Sequence, residues 1–187
     1  MIFKTAVLLI LGGVLANNYV FENFLGASRL LGYSKKENKL LASGLGVFAV
    51  VLISAPLTWA VQAYVLQPAG LGFLGTLVFT ALILCAAYLV ACLAKLLFKK
   101  ELGCFFPVLA VNGAVLGLVL NSVADGLSFV PAMLTAVGVG LGFFCGLFVF
   151  AFLREKIDEL FVPKAFRGLP IELLAAGIIS MALLAFK

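Results

Sequence analysis

Residues 12–36, GGVLANNYVFENFLGASRLLGYSKK, are the stretch that decides the fold. They continue an apolar N-terminal run, meet two adjacent asparagines, Asn17 and Asn18, and end in a basic segment. Residues 103–120, GCFFPVLAVNGAVLGLVL, resemble them when a shift of 94 residues, half the chain, brings Asn18 onto Asn112. Polar interruptions at equivalent places in two halves are typical of membrane proteins built from repeats around a midplane site.

The composition predicts an all-α integral membrane protein. Hydrophobic residues make up 65% of the 187 residues, and charged residues make up 11%. Residues 40–94 contain no Asp, Glu, Lys or Arg, and this run is long enough for two spans of about 20 residues each. The net charge of +5 does not indicate a nucleic-acid partner, because the basic residues lie in short loops between apolar runs.

The apolar runs predict six membrane-spanning helices in a single membrane domain, at about residues 5–25, 40–65, 70–97, 103–121, 130–152 and 169–186. Each half of the chain, residues 1–100 and 101–187, then holds three spans. Because three is an odd number, the halves insert with opposite orientation, as an inverted three-plus-three repeat. The polar interruptions predict that helices 1 and 4 are broken.

The basic residues predict the orientation in the membrane. All of them except Lys4 and Lys187 lie in the loops that join spans 1 to 2, 3 to 4 and 5 to 6. By the positive-inside rule these three loops are cytoplasmic, and both termini lie outside.

The asparagines within apolar segments are candidates for a midplane site. Asn17, Asn18, Asn112 and the adjacent Gly113 either unwind or cap half-helices, so that freed backbone groups line the site, or each asparagine bonds a neighbouring helix for about 1 kcal/mol. A matched set in both halves favours the site.

Glu22 is the one acid that we place within a span. It is either a site for an ion or a proton, since unpaired burial of a carboxylate is costly, or an interfacial residue that pairs with Arg29 or Lys35.

Four cysteines and the absence of histidine limit the chemistry. The cysteines lie in apolar segments without C-x-x-C spacing, as small packing residues do, at Cys85, Cys92, Cys104 and Cys145. We expect no catalytic residue and no metal ligand on this chain.

Three segments, LANNYVFENFLG, LGCFFPVLAVNGAVLGLVL and LREKIDELFVPKAFRGLPIELLAAGIISMALLAF, resemble the RnfA (RsxA) subunits of Rnf complexes, in the superfamily of NqrD, NqrE and RnfE. The resemblance covers nearly the whole chain. It implies a subunit of the bacterial or archaeal cytoplasmic membrane, in a complex that couples electron transfer between ferredoxin and NAD, or NADH and quinone, to Na+ or H+ movement. It also implies an RnfE-like homologous membrane partner of opposite orientation, and flavoprotein and Fe–S subunits.

In that family each member of the pair gives two cysteines to a [2Fe-2S] cluster at the membrane midplane. The corresponding positions here hold Ser28, within residues 27–29, and Gly113, and glycine has no ligand atom for iron. Cys104 is nine residues before Gly113, about 13 Å along a helix, so it does not replace the missing ligand. A glutamate common near the position of Ala91 is also absent.

We therefore expect that no cofactor is bound by this chain alone. Three explanations stay open. The complex moves electrons by another route, the cluster is held by the partner alone or missing, or the chain keeps a transport or scaffold role. The chain itself is expected to be non-catalytic. Two alternatives to an Rnf-type function stay open, namely a six-span transport subunit, such as a vitamin-uptake S-component, and a purely structural subunit without a redox role.

Overall fold

A computed structural model of the chain describes residues 2–16, 18–19, 21, 25, 37–98, 112–157 and 162–186. Over these ranges the regular structure is helical, with α-helices α1 Ile2–Leu11, α2 Glu37–Val61, α3 Gly75–Phe98, α4 Gly113–Ala124, α5 Phe129–Lys156 and α6 Leu169–Leu183. Two helices widen into a π-helical turn at their ends, Gly12–Ala16 after α1 and Gln62–Leu66 after α2. Short 3-10 turns occupy Gly72–Leu74, Lys164–Phe166 and Leu184–Phe186.

Three segments are long and apolar enough to cross a membrane, by length and composition: Gly44–Leu66, Gly72–Leu96 and Phe129–Leu153. They correspond to the second, third and fifth spans expected from the sequence. Two shorter apolar helices are Gly113–Ala124 and Pro170–Leu183. The prediction of an all-α membrane protein is confirmed over the described residues.

The helices α1 and α4 are shorter than a membrane span. The helix α1 holds 10 residues and its π-turn 5 more, and α4 holds 12, which at about 1.5 Å per residue amounts to about 18 to 22 Å of a hydrocarbon core of about 30 Å. Both helices come from the spans that the sequence predicts to be broken.

The core lies between α2 and α5, the most extensively packed pair of described helices. It is built from aliphatic and aromatic side chains that are at most 2% exposed, including Val47, Val50, Val51, Val139, Phe143 and Leu147. The helix α3 is peripheral, since only 28% of its most apolar window is buried, against 50% in α5.

The connection from α2 to α3 and the turn from α4 to α5 lie at the same end of the molecule. The Trp59 Nε1 donates a hydrogen bond to the carbonyl of Leu127 at 3.0 Å, and the Trp59 ring makes edge contacts with Tyr64 and Phe129. Since α3 and α5 begin at this end, the basic residues of their last turns, Lys95 and Lys156, lie at the opposite end.

Candidate functional site

The first interruption lies at the end of α1, where α-helical hydrogen bonding gives way to the π-turn Gly12–Ala16 and then to Asn18. Asn18 is 4% exposed. Its Nδ2 donates to the carbonyls of Val14 at 2.9 Å and Gly142 at 3.2 Å, and its Oδ1 accepts from the Phe21 amide at 3.4 Å. One side chain therefore holds the end of the π-turn, the start of the next segment and the facing helix α5.

Glycines allow the π-turn to lie directly on the backbone of α5. A Cβ on Gly13 would lie 2.8 Å from the carbonyl carbon of Gly138, and one on Gly142 would lie 2.6 Å from the carbonyl oxygen of Gly13. Real Cβ atoms do not come so close to backbone atoms. The glycines thus bring the Gly142 carbonyl within reach of the Asn18 amide.

The second interruption lies at the start of α4. Asn112 is the N-cap, in extended backbone conformation, and its Oδ1 accepts from the Ala114 amide at 3.0 Å, as a good N-cap residue does. Asn112 is 4% exposed, and its buried Nδ2 has no hydrogen-bond partner within the described part of the chain. The next residue, Gly113, is exposed.

The two interruptions are connected by contacts between the segment after Asn18 and α4. The Asn121 Nδ2 donates to the Tyr19 hydroxyl at 2.9 Å. A Cβ on Gly117 would lie 2.5 Å from Leu25 Cδ1, so the absence of a side chain there makes room for Leu25. The fold therefore brings the two asparagine-containing stretches of the sequence to one region of the protein.

The predicted site residues divide into two groups. Asn18, Asn112 and Gly113 are described, at the two interruptions, whereas Asn17, Glu22, Ser28 and Cys104 lie outside the described residues. The role of Glu22 stays a prediction.

The residues present do not fit the [2Fe-2S] cluster that the resemblance implies. Gly113 offers no ligand atom, and the polar atom beside it, Asn112 Nδ2, is a hydrogen-bond donor rather than a thiolate. Cys85, Cys92 and Cys145 are exposed and not in disulfides. Across the described residues no group of three or more His, Cys, Asp or Glu side chains could hold a metal ion.

Glu172 is a buried acid that sequence reasoning missed. It is 6% exposed, in the first turn of the apolar helix α6, so it joins Glu22 as an acid in an apolar segment. The signal was present, because the predicted sixth span, residues 169–186, already included it. A carboxylate at a helix N-terminus is favoured by the helix dipole, and an ionisable residue within a membrane helix is a functional candidate.

These features define a class of protein, a multi-pass α-helical membrane protein in which a buried asparagine follows one short helix and another caps a second short helix. Within that class the chain belongs to the Rnf-Nqr family. The family described as Rnf-Nqr subunit, membrane protein, matches residues 6–187, so the resemblance stated from the sequence is confirmed.

Relatives are similar over almost their entire length. The chain is 37% identical over 186 residues to the RnfA subunit of the ion-translocating oxidoreductase complex of Syntrophotalea carbinolica, with 98% of this chain and 96% of the relative covered. It is 33% identical to the corresponding subunit of the Na(+)-translocating ferredoxin:NAD(+) oxidoreductase complex of Acetobacterium woodii, with 98% and 97% covered. It is 35% identical to the corresponding subunit of the ion-translocating oxidoreductase complex of an Azoarcus species, with 96% and 94% covered.

Proposed function

We propose that this chain is the RnfA-type membrane subunit of an Rnf-type ion-translocating electron transport complex. The observation that carries the proposal is the similarity to proteins named as that subunit, which extends over 96 to 98% of this chain. Family membership favours this function over a vitamin-uptake subunit. The chain is non-catalytic by itself and acts within the assembled complex.

The architecture within the complex is six spans in an inverted three-plus-three repeat. A shift of 94 residues, which brings Asn18 onto Asn112, also brings Gly75 at the start of α3 onto Leu169 at the start of α6. The same shift moves α2 to residues 131–155, inside α5. The agreement of two pairs of helices and of the two asparagines supports two related halves, whose central helices α2 and α5 pack against each other.

The protein lies in the cytoplasmic membrane with its basic end inward. Two of the described cationic side chains, Lys95 and Lys156, lie in the last turns of α3 and α5, and two, Lys164 and Arg167, lie between α5 and α6. The other end carries exposed or half-buried aromatic side chains, namely Trp59, Tyr64, Phe73 and Phe129. Cytoplasmic lysines and interfacial aromatics are the usual arrangement in membrane proteins.

The principal partner is a homologous, RnfE-like membrane subunit that covers the second interruption. Gly113 is exposed between the buried residues Asn112 and Ala114, so the start of α4 opens to the outside of the chain at one small residue. A glycine at this point lets a neighbouring helix approach the start of α4 closely. Flavoprotein and Fe–S subunits complete the complex.

This chain contributes structure and ion movement rather than cluster ligands. Because neither Ser28 nor Gly113 can replace a cysteine thiolate, no transmembrane [2Fe-2S] cluster of the usual type is held by this subunit. Glu22 and Glu172 are the acids that we place in the membrane-embedded part, where an ionisable residue is a candidate for contact with a cation or a proton.

Purification through an affinity tag on this chain tests the proposal. We expect a homologous membrane subunit together with flavin-containing and Fe–S subunits. Recovery with an ATPase and a coupling subunit instead, or recovery alone from native membranes under mild detergent, would contradict it.

Iron and acid-labile sulfide in the same preparation, with EPR after dithionite, test the missing cluster. After subtraction of the subunits that carry clusters of their own, we expect no remaining two-iron signal. A residual two-iron signal assigned to the membrane pair would refute this part, and Cys104 would be the first ligand to examine.

A further inference from the structure

A cavity of about 170 Å³ opens at the end of the molecule opposite to the basic residues. It lies between the last turns of α2, the last turns of α4 and the turn that joins α4 to α5. Four of its lining side chains carry neutral oxygen atoms, at Thr58, Gln62, Gln67 and Ser122. We call this cavity the outer pocket. It has room for several water molecules or for a partly hydrated ion.

Helix dipoles make the outer pocket attractive to positive charge. The helices α2 and α4 both present their C-terminal ends to it, through Thr58 to Gln62 and through Leu118 to Val123. A helix C-terminus carries about half a negative charge, which favours cations nearby. The N-terminus of α5 acts in the opposite sense, but it contributes only Ala132 to the wall.

An acidic side chain lies next to the outer pocket. Asp125 is exposed and directly precedes Gly126, which lines the pocket. The cations Lys95, Lys156, Lys164 and Arg167 belong to the opposite end, whereas the orientation expected from the sequence places Lys4 and Lys187 on this side. The Asp125 carboxylate gives a cation in the pocket one counter-charge.

The wall chemistry is that of a site for a hard cation. Hydroxyl, carboxamide and carbonyl oxygens are the ligands that such cations take in proteins. The Thr58 hydroxyl donates its hydrogen to the Ser54 carbonyl at 2.8 Å, so its lone pairs stay available as acceptors. Gln62 begins the π-turn Gln62–Leu66, and π-turns within helices are frequent at functional sites.

A polar row on α2 continues from the outer pocket into the protein. Ser54, Thr58 and Gln62 are four residues apart, on one face of the helix. Ser54 and Thr58 are 0% and 2% exposed, within a stretch that carries no charged residue. Through this row, a cation in the outer pocket can also contact oxygen atoms on the inner side of the pocket.

We propose that the outer pocket binds a small monovalent metal cation, Na+ in the first instance. Resting on the proposed function, the pocket is the outer vestibule through which the translocated ion leaves the protein. The site needs no carboxylate or thiolate cluster, since neutral oxygens, two helix C-termini and one nearby acid supply the attraction.

Trp59 provides a local reporter for the test. It is the only tryptophan of the chain, it lines the pocket, and it is fixed by its hydrogen bond to Leu127. The assembly that copurifies with the tagged chain is labelled with 5-fluorotryptophan, and the 19F resonance absent from the Trp59→Phe variant belongs to Trp59. NaCl is then titrated at constant ionic strength against choline chloride.

We expect a saturable shift of the Trp59 resonance with NaCl and not with choline chloride. Gln62→Leu and Ser122→Ala should each raise the NaCl midpoint roughly tenfold, the effect of losing about one oxygen contact to a charged group. Asp125→Asn, an exposed change that leaves packing intact, should raise the midpoint severalfold. Thr80→Val is the matched control, since Thr80 is an exposed hydroxyl on α3 that bonds the Thr76 carbonyl, and its midpoint should equal that of the wild type.

A flat titration with Na+, Li+ and K+ would overturn the proposal, and so would a wild-type midpoint in both Gln62→Leu and Asp125→Asn. A shift that follows pH alone would assign the pocket to protons and likewise refute a metal cation. The titration does not depend on redox activity or on which subunits copurify, so its failure is distinguishable from failure of the proposed function.

Discussion

A shift of 94 residues along the sequence brings Asn18 onto Asn112, but the hydrogen bonds of the two side chains differ. Each caps the segment that follows, since the Oδ1 accepts from the amide of Phe21 in one half and of Ala114 in the other. The Asn18 Nδ2 also donates to the Val14 and Gly142 carbonyls. The Asn112 Nδ2 is buried without a partner in the described part of the chain.

The difference indicates which of the two interruptions is held by contacts within the chain. Around Asn18, glycines bring the π-turn onto α5, and the amide completes the contact. Around Asn112, the helix begins beside the exposed Gly113, where a neighbouring subunit can approach the backbone. The first interruption is therefore a contact within the chain, and the second is suited to a contact between subunits.

The largest effect is expected from adding a methyl group at the first interruption, where the π-turn contacts α5. Gly142→Ala puts a Cβ 2.6 Å from the Gly13 carbonyl oxygen, and because that neighbour is backbone, the π-turn must move away from α5. We expect a loss of about 3 kcal/mol or more in unfolding free energy, measured as thermal unfolding of the purified assembly. Gly177→Ala in α6 is the control, since a Cβ there has nothing within 4 Å, and its stability should equal or exceed that of the wild type. Equal stability of the two variants would refute the close contact.

Serine substitutions compare the two asparagines directly. Serine keeps an oxygen that can cap but has no amide donor. Asn18→Ser leaves the Gly142 and Val14 carbonyls without their donor, so we expect a loss of about 1 to 3 kcal/mol in unfolding free energy. Asn112→Ser should change the stability of the protein by less than about 1 kcal/mol, because the serine oxygen can still cap α4 and no hydrogen bond of Nδ2 within the described residues is lost. The comparison fails if the two variants lose equal stability.

The smallest effect concerns the contact that links the interruptions. Tyr19→Phe removes the hydroxyl that accepts from Asn121 Nδ2 at 2.9 Å. Because Asn121 is exposed, its amide can find another acceptor, and we expect a loss of at most about 1 kcal/mol in the same unfolding assay. Tyr64→Phe at an exposed ring is the control and should have no effect. A loss at Tyr19 as large as that of Gly142→Ala would mean that the segment after Asn18, rather than the π-turn, holds the first interruption.

Sequence reasoning predicted the class of fold because composition and hydropathy depend on simple sums over residues. The absence of charge in residues 40–94 predicts the spans that α2 and α3 form. The candidates Asn18 and Asn112 also came from the sequence, since a polar amide within an apolar run is visible without coordinates.

The rest depended on packing that the sequence does not encode locally. That Gly142 would supply a carbonyl to Asn18 follows from a contact over 124 positions of the chain. Glu172 was missed because an acid in the first turn of a predicted span is expected to lie at the membrane interface. Its burial depends on neighbouring elements, which the sequence does not show. The outer pocket joins residues of α2 and of the α4–α5 turn, which no sequence motif connects.

The most direct test of the central claim is photo-crosslinking from the second interruption. p-Benzoylphenylalanine is incorporated in place of Gly113 in the intact complex. A second variant carries it in place of Phe73, which is 79% exposed just before the start of α3, as a control for non-specific capture. We predict that the probe at position 113 crosslinks to a homologous Rnf-Nqr membrane subunit, identified by mass spectrometry, well above the control. An intact complex in which the probe at position 113 captures no membrane subunit beyond the control level would contradict this prediction.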